Sequence, residues 1–144
     1  MNYLVAVDAS FVHAPGGMAR VAWDMAGAAR DRGHEVGMIC AHAPGEATPT
    51  VEEVENIRIA HYPRPRLPNW DPRYLRRMFA NMHETMGRFL SRHRWDVVHS
   101  HSPFSGLGAM NSLGPSAPCV STIHSPVVLE RHTAWDNEGY SGRL

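Results

Sequence analysis

Residues 3–41, YLVAVDASFVHAPGGMARVAWDMAGAARDRGHEVGMICA, decide the reading of the fold. Tyr3–Val7 is a short apolar, β-branched run stopped by Asp8, the pattern of a parallel strand buried on both faces. Residues 9–17 are rich in turn formers. Met18, Val21, Ala22, Met25, Ala28 and Ala29 then recur at helical spacing, and Gly33 stands where a helix C-terminus favours glycine. Glu35–Ala41 (EVGMICA) is a second strand. Strand, helix and strand in this order predict a right-handed βαβ crossover.

The unit repeats along the chain. A polar, acidic loop from Pro44 to Asn56 leads into Ile57–His61, a third strand cut off by the proline-rich YPRPRLP (62–68). Asp71-Pro72 reads as an N-cap followed by proline at the first helical position. Behind it Leu75, Met78, Phe79, Met82, Met86, Phe89 and Leu90 form one apolar stripe, the core face of a long helix. Asp96–Ser100 is a fourth strand, Ser105–Leu113 a short helix and Pro118–Ile123 a fifth strand. Strands alternating with helices predict an α/β fold: a Rossmann-like, doubly wound parallel sheet in three α/β/α layers, with strand order 3-2-1-4-5.

Length and composition fit one such domain. The 144 residues allow a single sizeable core, and 43% hydrophobic with 19% charged content is that of a globular chain. Cys40 and Cys119 lie far apart inside apolar runs, where cysteines behave as small buried hydrophobes in a reducing compartment. Asp8 interrupts the first apolar run too early for a signal peptide, and no stretch approaches the ~20 apolar residues of a membrane span. A cytoplasmic location is expected. Net charge is zero, so no global field attracts nucleic acid. All fourteen basic residues are Arg, as codon bias would produce, and most fall in 57–94. Arg64, Arg66, Arg73, Arg76, Arg77, Arg88, Arg92 and Arg94 there are a solvated helix face, a surface for an anionic membrane or phosphorylated acceptor, or, with no aromatic interleaving to support it, a nucleic-acid surface.

Unusual residues gather at one predicted sheet edge. The carboxyl end of the first strand carries Asp8, Ser10, His13 and Gly16-Gly17; the fourth ends in HSHSPFSG (99–106) and the fifth in IHSP (123–126). Ligands of doubly wound sheets bind at this edge. Gly16-Gly17 either makes a tight turn or lets an anion approach the amides of a helix N-terminus; its spacing matches no established phosphate-binding loop. His99 and His101 share a strand face, with His124 beside them on the next strand. A zinc reading of the three lacks a carboxylate or thiolate to complete the ligand set. His99 fits a hydrogen-bonded core histidine, whereas His101 and His124, nearer the strand ends, fit polar ligand groups or a general base.

Three ordered stretches carry a resemblance to a known family. GGMARVAWDMAGAARDRGHEVGMICA (16–41), DVVHSHSPFSGLGAM (96–110) and PCVSTIHS (118–125) resemble the N-terminal domain of family 4 glycosyltransferases of the GT-B type. The resemblance implies retaining transfer of a sugar from a nucleotide-sugar donor, a co-substrate, to a sugar or lipid-linked acceptor. It implies no metal, because helix-terminal amides and basic side chains stabilise the leaving diphosphate. Mapped residue by residue, it puts Gly16 and Gly17, with Arg20 as a weaker match, at the donor phosphates or reacting sugar. His124 falls near the anomeric centre as the catalytic residue, and His101, with Ser10 and His13, in the acceptor pocket.

The resemblance assigns residues 1–126 to the acceptor-side domain and leaves 127–144 as a short tail. The family's C-terminal, donor-binding domain has no counterpart after Pro126. The expectation is a chain that needs that domain, or a partner subunit carrying it, to turn over, with peripheral contact to the inner membrane face. The other readings are one subunit of a split transferase and a non-catalytic Rossmann-like ligand-binding module.

Overall fold

Alternation along the first strand sets the layers. In β1 (Asn2–Ala9), Leu4 and Ala6 point to one face and Val5 and Val7 to the other, and all four are fully buried. A strand that is apolar on both faces needs a helix layer on each. The computed structural model describes residues 1–14, 16–42, 45–68, 70–114 and 117–124. The expected features of 127–144 lie outside these residues, as do Ser125 and Pro126.

Two cores form, one on each side of the sheet. Helix α1 (Gly17–Asp31) presses Ala22 and Ala26 against Val5, Val7, Met38, Cys40, Ile57 and Ile59. Gly33, at φ 78°, closes α1: its N–H reaches the Arg30 carbonyl at 2.8 Å while His34 N–H reaches Ala29 at 3.2 Å. Only glycine enters this left-handed region without strain. On the opposite face, α2 (Arg73–Phe89) and α3 (Pro103–Leu113) bury Met78, Met82, Met86 and Ala109 with Leu4, Ile39, Tyr62, Trp95 and Val98. Met82 is fully buried, and Met82→Ala should cost about 2–5 kcal/mol. The Asp71 carboxylate caps α2 by accepting from the Arg73 N–H at 2.8 Å, and Pro72 already has helical dihedrals.

The sheet contains β2 (Glu35–Ala41), β3 (Thr50–Val54), β4 (Ile57–Tyr62), β5 (Val97–Ser100) and β6 (Cys119–Ser121), in the order β3-β4-β2-β1-β5-β6. All pairings are parallel except β3 with β4. Without β3, this is the order expected from the sequence. Strand β3 lies within what reads as the 44–56 loop. It pairs with β4 through a two-residue turn, Glu55-Asn56, with φ of 50° and 59°. Such turns are usually announced by Asn-Gly or Asp-Gly, and Glu-Asn gives no such signal. Arg30 of α1 secures the turn, donating to the Glu55 carbonyl at 2.9 Å and its carboxylate at 2.8 Å.

One expectation about the cysteines fails. Cys40 is fully buried, but Cys119 is exposed, because β6 is a short edge strand whose three residues are all exposed.

Candidate functional site

The carboxyl ends of β1, β2, β4, β5 and β6 share one rim, since these strands run parallel. Backbone bonds carry the rim past the strands: His101 N–H donates to the Ala6 carbonyl and Thr122 N–H to the Ser100 carbonyl, both at 2.8 Å.

At the centre, Asp8 joins β1 to α3. Its Oδ1 accepts from the hydroxyls of Ser102 at 2.7 Å and Ser105 at 2.8 Å. Ser102 is also the N-cap of α3, with Pro103 at the first helical position. A carboxylate at a helix N-terminus is stabilised by the unpaired amides and the macrodipole, so this end of α3 is already occupied. The Ser-Pro pair could have revealed the cap; reading α3 as starting at Ser105 hides it. Gly106 is required here, because a Cβ would run into the Ser100 side chain.

The N-terminus of α1 is different. Gly16 is its N-cap, with no side-chain cap and no acid in the first turn. Gly16 has φ −171° and ψ 162°, an extended conformation any residue adopts, and Gly17 begins the helix. A Cβ on either would meet nothing within 4 Å among the described residues. The tight-turn explanation for the pair therefore has no support, since neither backbone conformation nor packing calls for glycine. Arg20, one turn on, is held by its own helix: Nε donates to both Asp24 oxygens at 2.9 and 2.8 Å, and the guanidinium lies 5.1 Å from the Phe11 ring centre.

Beyond β5 the histidines form a stack. His99 uses both nitrogens, Nδ1 with the Tyr3 hydroxyl at 2.5 Å and Nε2 with Thr122 Oγ1 at 2.7 Å. Burial raises the Tyr3 pKa, so the phenol keeps its proton and donates. The His101 ring lies 4.4 Å from that of His99, and its Nδ1 is 2.8 Å from His124 Nε2. His101 is 2% exposed and its Nε2 has no partner among the described residues. Burial first, then His99 and His124, lowers its pKa to about 4, so the ring is neutral at pH 7. An unpaired buried nitrogen costs about 1–3 kcal/mol, which a bound polar group would recover. His124 is exposed over this stack.

Ser10 and His13 face elsewhere. The Ser10 carbonyl accepts from the His13 and Ala14 amides, so Ser10 shapes the loop it begins. His13 turns toward the β3–β4 hairpin, where its Nε2 is 2.5 Å from Glu52 Oε1. His61 Nε2 meets the same oxygen at 2.7 Å. Burial pushes the Glu52 carboxyl up, but its two imidazole partners outweigh this and hold it below the ordinary value. For His61 burial dominates and lowers the pKa, with Glu52 opposing. The structure thus brings His101 and His124 together, and sets His13 in a separate group with Glu52, a residue with no signal of its own in the sequence.

Comparisons with known proteins bear on the family and the fold. A sequence search among curated proteins finds no match. Among solved structures the chain is similar to sucrose-phosphate synthase from Thermosynechococcus elongatus, with a TM-score of 0.68 and 15% identity over 92% of this chain. It spans 35% of that protein's length, and the likeness is one of fold: a Rossmann-like α/β half of a GT-B architecture. No helix among the described residues is long and apolar enough to cross a membrane. The family model for Glycosyltransferase Family 4 matches residues 15–143, from Pro15, just before the glycine pair, to the penultimate residue. With that match lying over a sheet of the expected order, the chain belongs to glycosyltransferase family 4.

Proposed function

We propose that this chain is the acceptor-side domain of a retaining glycosyltransferase that uses a nucleotide-sugar donor. The observation that carries the reading is the glycine pair at an uncapped helix end. Gly16 and Gly17 at the start of α1 are exposed, with open space among the described residues where side chains would stand. That arrangement suits a diphosphate, whose charge grows as the glycosyl bond breaks. In this reading the amides, rather than a metal, stabilise the leaving group, and Arg20 adds charge if it releases Asp24.

His101 and His124 then handle the sugar. A hydroxyl both donates and accepts, so it satisfies His101 Nε2 in either tautomer, whereas a phosphate oxygen needs the N–H. His124, exposed above His101, is assigned to the reacting sugar's hydroxyls near the anomeric carbon. Ser10 supports the acceptor side by shaping the loop.

An anionic acceptor, phosphorylated or lipid-linked, is supported by a groove of about 550 Å³ between residues 63–67 and α2. Arg64, Arg66, Arg73, Arg77 and Arg88 line it. Glu46 and Glu84 line it too; Arg73 and Arg88 are paired with Asp71 and Glu84, while among the described residues Arg64 and Arg66 reach backbone carbonyls. The same groove would face the inner surface of a membrane if the acceptor is a lipid. Donor binding is assigned to a second, C-terminal-type domain, in the same polypeptide or a partner, and turnover requires both halves.

The test uses Gly16→Val and Gly17→Val with the donor half present. Because the added side chains enter open space, both variants should keep the wild-type melting temperature. Sugar transfer should fall by about 10²–10³. Undiminished transfer in both would overturn the reading.

A further inference from the structure

We propose that His13, Glu52 and His61 form a binding site for a single zinc-class divalent cation. Their ligand atoms, His13 Nε2, Glu52 Oε1 and His61 Nε2, all lie within 4.8 Å of one another. They come from the β1–α1 loop, β3 and β4, so the cluster exists only in the folded chain.

The surroundings are those of a held site. The side chain of His61 is 6% exposed, that of Glu52 33% and that of His13 50%, giving one buried anchor and one open side for entry. The second nitrogen of His61, Nδ1, lies 3.4 Å from Cys40 Sγ, a buried partner that orients the ring. His42 stacks on the His61 ring with centres 5.0 Å apart, and Thr50 fixes His42 through a 2.9 Å bond to its Nε2. With a cation on Nε2, the ring proton of His61 moves to Nδ1 and is donated to the sulfur.

Two imidazoles and one carboxylate suit zinc and its transition-metal neighbours, whereas magnesium and calcium require mainly oxygen ligands. Metal–ligand bonds of about 2.0–2.1 Å place neighbouring tetrahedral ligand atoms roughly 3.3 Å apart. The present contacts of 2.5 and 2.7 Å are shorter, so each imidazole has to withdraw by less than about 1 Å. His13, on a half-exposed loop, has room to do so. Among the described residues the His99–His101–His124 stack offers no such site: no carboxylate joins it, and both nitrogens of His99 are engaged. The cation would tie the loop leading to Gly16-Gly17 to the edge hairpin, bracing the start of α1.

Two imidazole N–H groups sharing one carboxylate oxygen would give the same contacts with no ion, so the experiment must separate the two. The full chain, stripped with chelator, is titrated with Zn²⁺ against a chromophoric competitor, and its melting temperature is measured in parallel. The expected result is one equivalent bound with a rise in melting temperature. Affinity should fall at least tenfold, about the scale of a lost ligand or its support, in Glu52→Gln and His61→Ala. His13→Ala, on the exposed loop, should show the same loss and guards against a His61 variant that fails to fold. His124→Ala and Cys119→Ser should bind as wild type. Failure to bind Zn²⁺ in the wild type, unchanged affinity in Glu52→Gln and His13→Ala, or loss confined to His124→Ala or Cys119→Ser would each overturn the proposal.

Discussion

Two groups of histidines flank the same sheet rim and are built on opposite chemistry. On the β4 side, His13 and His61 converge on the Glu52 carboxylate. On the β5 side, among the described residues, His99, His101 and His124 bond to hydroxyls and to one another, and one nitrogen of His101 has no partner. A carboxylate favours a proton or cation between itself and an imidazole, whereas imidazoles packed together disfavour charge. The same residue type at the same edge thus meets a carboxylate in one place and hydroxyls and other imidazoles in the other, the difference on which the two proposed binding roles rest. Asp8, at the end of β1 between the two groups, bonds to neither, its Oδ1 accepting from Ser102 and Ser105.

Breaking the divider between the groups should have the largest effect. Asp8→Ala leaves the buried Ser102 and Ser105 hydroxyls without their acceptor and removes the charge at the start of α3. A loss of about 3 kcal/mol is expected in denaturant unfolding. Asp8→Asn, which keeps an acceptor, should recover part of it.

Acid should expose the neutral group next. The folded-state pKa of His101 is depressed to about 4 from the ordinary 6.5, so between these values the unfolded chain binds the proton and the folded chain resists it. Stability is therefore full above pH 6.5 and falls as the pH drops toward 4. Solvent near the exposed His124 screens part of the effect, leaving about 2 kcal/mol. Unfolding curves at pH 7.5 and 4.5 measure it. His101→Gln should flatten the slope, leaving the shares of His99 and His61, whose values are also lowered.

Function separates the groups more gently. With the donor half present, His124→Ala should reduce sugar transfer by more than about tenfold, or 1.4 kcal/mol, within the usual range for a positioned acid–base or hydrogen-bonding group. His42→Ala, on the other side, should leave transfer near wild type. Equal losses in the two would erase the functional distinction. The smallest change concerns the hairpin that carries Glu52. Asn56→Gly relieves a left-handed residue while keeping the Arg30–Glu55 pair, and should stabilise the chain by about 0.5 kcal/mol without changing transfer.

Much of the fold could be read from local pattern. Parallel strands, the three helices, the Gly33 stop, the Asp71 cap and the central strand order all follow from apolar periodicity and turn residues spaced within a few positions. The rim followed from that order, which placed the ends of β1, β5 and β6 together and so predicted that His101 and His124 would be neighbours. The β3–β4 hairpin did not follow, because its strand is acidic and its turn lacks the usual glycine. The exposure of Cys119 was also hidden, since an apolar run does not reveal whether a helix covers it.

The parallel α/β architecture and the rim where the histidines and hydroxyls collect were legible in the chain alone, because both depend on periodicity and on caps within a turn or two. Tertiary structure alone decided which side chains share that edge. Glu52 joins His13 across 39 residues and Asp8 joins Ser105 across 97, and nothing in either segment encodes the other's approach. It also removed the tight-turn explanation for Gly16 and Gly17, since their conformation and the space around them among the described residues call for no glycine. Local rules act over a helical turn, whereas a site is set by which distant segments the closed core brings within a hydrogen bond's reach.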